Sequence, residues 1–98
     1  MAGYEFTIYI AGSTPRSDRA VACMRRLCSE FLPGDHRIDV VDVLADPERA
    51  ELHNVIATPT VVRVSPAPER RVLGDLSDTA RVRQALDIDA GQAQEALL

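Results

Sequence analysis

Two thiols, two adjacent hydroxyls, two imidazoles and three nearby carboxylates are the side chains here whose types could support chemistry. Cys23 and Cys28 stand five residues apart in a stretch that reads as helix, which sets them about 140° apart around its axis. They cannot bridge each other, and two cysteines are too few for a disulfide framework. Cys28 falls on an apolar helical stripe and is expected to be a small core residue. Cys23 lies nearer the edge of that stripe and is the thiol with a route to reactivity. Ser13 and Thr14 precede Pro15, where either hydroxyl suits a helix N-cap. His36 and His53 are separated by a strand and a helix, with no further His or Cys at metal-ligand spacing, so both are expected at the exposed surface. Asp39 and Asp42 differ in strand parity and point to opposite faces, while Asp46 is placed to cap a helix. No metal site is assigned to them. Arg25-Arg26 and Arg70-Arg71 read as solvated surface pairs. No catalytic residue is assigned.

The elements that must position these groups are marked by period and punctuation. Residues 4–11 alternate, with Tyr4, Phe6, Ile8 and Ile10 on one face and Glu5, Thr7 and Tyr9 on the other, a strand pattern. After Gly12-Ser13-Thr14-Pro15, the residues Ala20, Met24, Leu27, Cys28 and Phe31 form a helical stripe that Pro33-Gly34 ends. Residues 36–44 read as a second strand, and Asp46-Pro47-Glu48 opens a short helix running to about Asn54. Ala57-Thr58-Pro59-Thr60 leads into a third strand over 61–64, Ser65-Pro66-Ala67-Pro68 forms a turn, and 70–73 is its hairpin partner. Gly74 to Asp78 then turns and caps a last helix with Val82, Ala85 and Leu86 on its apolar edge. From Ala90 the pattern weakens, and 90–98 is expected to be a flexible tail.

The order β-α-β-α-β-β-α makes the first two strands parallel and the last two an antiparallel hairpin. An α/β four-stranded mixed sheet with helices on both faces follows, which is the thioredoxin-like architecture. That fold often carries a cis proline before its third strand, and Pro59 stands in that place. Enzymes of this fold set a low-pKa cysteine at the start of the first helix. Here the place reads Gly12-Ser13-Thr14-Pro15-Arg16, so dithiol exchange there is excluded. A hydroxyl of Ser13 or Thr14 polarising a glutathione thiol is the enzymatic alternative.

The chain's 98 residues and 10.7 kDa amount to one domain, 1–98. Its net charge of -4 speaks against a nucleic-acid partner. All eleven basic residues are Arg, and without Lys there is neither Schiff-base nor P-loop chemistry. No apolar run approaches the roughly 20 residues of a membrane span. The start Met-Ala-Gly-Tyr-Glu-Phe lacks a signal-peptide pattern, so a cytoplasmic location is expected.

Four strings in this order are similar to those of the KaiB family of circadian-clock proteins. They are Tyr9-Ile10-Ala11-Gly12-Ser13-Thr14-Pro15; Asp42-Val43-Leu44 with Asp46-Pro47; Ala57-Thr58-Pro59-Thr60; and Gly74-Asp75-Leu76-Ser77-Asp78. The resemblance covers the chain from Tyr4 to Ile88. It implies a protein without enzymatic activity or cofactor that binds a KaiC-like ATPase. It also implies a choice of two folds, thioredoxin-like or a tetrameric resting form whose C-terminal half, from about Ile56, is rearranged. The related sensor domain of a clock histidine kinase is similar, which makes a histidine kinase a further implied partner and a kinase-pathway adaptor an alternative role.

By the same resemblance, Arg19 matches a basic residue of the partner-facing surface. Asp39 and Asn54 stand where clock members tend to carry Lys, which lowers the basicity of that surface. Ala85 stands where clock members commonly have Gly, and with Asp87 it is assigned to the fold switch. Ala favours helix over Gly by roughly 1 kcal/mol, so the chain is expected to rest in the thioredoxin-like form.

Overall fold

A computed structural model of the chain describes residues 3–74 and 76–88. The elements are β1 (Tyr4–Ile10), α1 (Pro15–Phe31), β2 (His36–Asp42), α2 (Pro47–Leu52), β3 (Thr60–Ser65), β4 (Arg70–Leu73) and α3 (Thr79–Leu86). The four strands form one sheet in the order β2-β1-β3-β4. β1 runs parallel to β2 and antiparallel to β3, and β3 pairs antiparallel with β4. The expected thioredoxin-like arrangement is therefore the one observed, with α3 present as a helix. The segment 90–98, read as a tail, lies outside the described residues.

Both faces of β1 are covered, which is why Thr7 and Tyr9 are buried alongside Phe6 and Ile8. On one face Phe6, Ile8 and Val61 meet Ala20, Met24, Leu27 and Cys28 of α1 and Val82 and Leu86 of α3. On the other face a smaller cluster of Tyr9, Val41 and Val62 takes Val43 and Val55 against it. α2 lies over this second face and buries none of its own residues. Its Leu52 remains 76 % exposed.

Thr14 proves to be the α1 N-cap. Its Oγ1 accepts from the Ser17 N–H at 3.0 Å, and the Ser17 hydroxyl accepts from the Thr14 N–H at 2.9 Å. This reciprocal box satisfies donors that the first turn would otherwise leave open. Asp46 occupies the α2 N-cap position without a side-chain cap bond. The carboxylate that organises this end of the sheet is Asp42, whose Oδ1 accepts from Gly12 N–H at 3.0 Å and Leu44 N–H at 2.9 Å. That local turn also ends β2 at Asp42 instead of carrying it to Leu44.

α2 stops at Leu52, short of Asn54, because Asn54 turns left-handed at φ 55, a conformation Asn tolerates better than most residues. The Thr58–Pro59 bond is cis, as are Ser65–Pro66 and Ala67–Pro68. Among the described residues no helix is long and apolar enough to cross a membrane.

One buried charge stands out in β3. Arg63 is only 3 % exposed, and its acceptors are all backbone carbonyls. Nη1 donates to Leu86 O at 2.9 Å and Asp87 O at 3.3 Å, and Nη2 donates to Pro68 O at 2.8 Å. Its Nε finds no acceptor. The guanidinium thus joins the C-terminal end of α3, where the helix dipole favours a cation, to the β3–β4 turn.

Candidate interaction surface

Arg19 extends from the exposed side of α1, and its neighbours follow from helical spacing. Arg16, Arg19, Cys23 and Arg26 recur at three- and four-residue intervals, so they share one helix face. Arg16, Arg19 and Cys23 line a cavity of about 410 Å³ completed by Ala20, Pro59, Gly74, Leu76 and Ser77. Cys23 is half-buried there, with the Arg26 guanidinium 3.8 Å from its sulfur. Cys28 is fully buried, and burial pushes its thiol up to about 11 from 9.0. A thiol in that state is a packing residue.

Asp39 and Asn54 lie elsewhere. Asp39 sits opposite Thr7 in the register, and its carboxylate accepts from Arg49 of α2 at 3.0 Å. Asn54 follows α2, and its carbonyl accepts from Arg71 Nη1 at 3.3 Å. These two residues therefore flank α2 on the second sheet face, while Arg19 belongs to the helix packed on the first. The three do not form one continuous patch. Arg19 shares its cavity with Pro59 and Gly74 beside β3 and β4, Asp39 lies on β2, and Asn54 is bonded to Arg71 of β4, so no single sheet edge joins them.

Several arginines carry more structure than charge patterning conveys. Arg71, read as solvated surface, binds Glu69 Oε2 through Nε at 3.0 Å and donates to the carbonyls of both His53 and Asn54. Arg49 pairs with Asp39 across the gap between α2 and β2. Between these pairs lies a second hollow of about 290 Å³, floored by Thr7, Tyr9 and Val62. Burial raises the Tyr9 phenol, an effect that Arg49 and Arg71 partly offset.

His53 caps α2 and tilts against Tyr9 with ring centroids 6.3 Å apart. It is exposed, as expected. His36 departs from that expectation. It is half-buried because its Nδ1 donates to the Leu32 carbonyl at 2.7 Å, tying the start of β2 to the end of α1. Among the described residues no group of three His, Cys, Asp or Glu is arranged to hold a metal ion.

Ala85 is half-buried against the main core near the end of α3. Asp87 closes that helix in the left-handed conformation at φ 55, its N–H donating to Gln84 O at 3.2 Å. Both residues adjoin the carbonyls that hold Arg63. No local pattern points to Arg63, since two of its three acceptors lie 23 and 24 residues away along the chain.

The fold and the sequence can each be matched to known proteins. The thioredoxin-like N-terminal domain of SasA from Synechococcus elongatus superposes with a TM-score of 0.72 over 88 % of this chain and 85 % of that one, at 19 % identity. Mitochondrial thioredoxin 3 from Saccharomyces cerevisiae gives 0.69 over 89 % and 80 %, also at 19 % identity. At these identities the likeness is one of fold. The sequence matches are closer. The circadian clock oscillator protein KaiB of Prochlorococcus marinus strain MIT 9313 is 39 % identical over 95 residues, covering 97 % of this chain and 80 % of that protein. The circadian clock protein KaiB3 of Synechocystis is 40 % identical over 81 residues, covering 83 % and 79 %. The KaiB domain model matches residues 7–88, from the middle of β1 to the end of the described core. With that span and those relatives, the chain belongs to the KaiB family, whose named relatives here are circadian clock proteins.

Proposed function

We propose that this chain is a non-enzymatic regulatory protein of the cytoplasm that binds a KaiC-type ATPase in a timing or stress-signalling system. The observation that carries this reading is the KaiB match across residues 7–88. The sequence also lacks a cysteine where thioredoxin-like enzymes place theirs, which removes the usual dithiol route. The contact surface is the region around α1 and β2, with Arg19, Asp39 and Asn54 as its reporters. Ala85 favours the fold that carries α3, and Asp87 closes that helix, so the chain rests in this form and not as a tetramer with a rearranged C-terminal half.

Co-elution with the ATPase of the same organism, in ATP and in ADP, tests the reading. A complex is expected in at least one nucleotide state. Arg19→Glu should lower that affinity about tenfold or more while the thermal midpoint stays within a degree or two, because an exposed charge reversal touches recognition and not the core. Absence of binding in every nucleotide state overturns the ATPase as partner. Capture of a histidine kinase instead would assign the chain to a kinase pathway.

A further inference from the structure

The cavity between α1, Pro59 and the β4–α3 connection has a charge the rest of the molecule does not explain. The chain is acidic overall, with a net charge of -4, and three of its other arginines are committed. Arg49 pairs with Asp39, Arg71 pairs with Glu69, and Arg63 is held by carbonyls. Arg16 and Arg19 make no ion pair among the described residues, yet both line the same cavity. At i and i+3 on a helix their side chains leave the backbone about 5–6 Å apart. No acidic side chain is among the described lining residues, while Ser77 adds a hydroxyl.

A volume of about 410 Å³ falls in the range of small-ligand sites, about 300–1,000 Å³. It is far larger than a water's share of about 30 Å³. Two guanidinium forks suit an oxyanion with two negative charges, and the apolar walls from Ala20, Pro59 and Leu76 suit an organic body behind it. We propose that this cavity binds a small organic molecule bearing a dianionic oxyanion group, a phosphate ester or a pair of carboxylates. Arg16 and Arg19 hold the anion, and the bound molecule covers Cys23. This inference does not rest on the ATPase reading, and its test uses the chain alone.

The test reads Cys23 alkylation by N-ethylmaleimide, a neutral reagent whose approach the arginines do not steer; Cys28 is buried and does not compete. Phenyl phosphate and succinate are titrated separately, with sodium chloride at matched ionic strength as the control. Saturable slowing of alkylation by at least about fivefold is expected from one or both probes, and the probe that protects identifies the anionic group. Arg16→Gln and Arg19→Gln should each raise the half-protecting concentration about tenfold, the effect of losing one charge-assisted hydrogen bond. Arg25→Gln, on the same helix but outside the cavity, should leave it unchanged. Protection no greater than that given by sodium chloride overturns the proposal, as does an equal effect of Arg25→Gln.

Discussion

Asp87 and Cys28 are the single residues whose environments most clearly set a measurable quantity. Asp87 ends α3 at φ 55, where an L side chain is disfavoured by roughly 1–2 kcal/mol and Gly is not. Its carboxylate also sits at the negative end of the helix. Asp87→Gly should therefore raise stability by about 1 kcal/mol, and Ala85→Gly should lower it by about the same amount. Urea midpoints measure both, and midpoints that move together contradict this account. Cys28 gives a pH dependence. Its folded thiol, at about 11, ionises later than the unfolded one at 9.0. Its contribution is whole below pH 9 and fades as pH rises toward 11, because the unfolded chain releases its proton first. Between pH 8 and 10.5 the wild type should lose about 2 kcal/mol more than Cys28→Ala. Parallel losses would show that the thiol plays no part.

Among the elements, α2 is the least secured. It has no buried residue and no side-chain cap. The Asp39–Arg49 pair that crosses to it is exposed at both ends, and such pairs are worth about 0–1 kcal/mol. The firmer hold comes from Arg71, which reaches the carbonyls just past the helix, and from Val55 on the second-face cluster. Arg71→Gln should speed amide exchange in residues 49–55 about tenfold while leaving α1 unchanged. Equal acceleration in α1 would mean that Arg71 supports the whole fold. This is also where sequence reading is weakest. Pro15, Pro33-Gly34, Pro47 and the Pro66–Pro68 turn mark element borders by local sterics, so the element order was legible throughout. Asp46 looked like a cap because it precedes Pro47, but Asp42 organises that turn through bonds to Gly12 and Leu44. A carboxylate reaching 30 residues back along the chain leaves no local mark. Arg71 was missed for the same reason, its carbonyl acceptors being 17 and 18 residues away.

At the scale of the whole molecule, the two sheet faces differ in how much they hold. The α1–α3 side carries the main core, and the α2 side a cluster of three buried residues. The candidate surface was only partly legible. The family resemblance pointed to Arg19, Asp39 and Asn54, but not to their falling on these two separate faces. In the string Val61-Val62-Arg63-Val64-Ser65, Arg63 resembles the solvent side of an ordinary strand. In fact the fold acts as the solvent for this one cation. Water has been replaced around it by three carbonyls drawn from two separate parts of the chain. If α3 lifts away, Arg63 loses two acceptors in an apolar setting and must rehydrate, which requires the hairpin to open as well. The two parts should then melt as a single cooperative unit. In native-state hydrogen exchange, residues 82–88 and β4 should open with the same free energy, and Arg63→Lys, whose single ammonium cannot span both sets of carbonyls, should split them. Separate opening in the wild type would refute the linkage. A buried charge that has no ion-pair partner among the described residues thus works here as bookkeeping between distant segments: neither can leave without the other's account being closed.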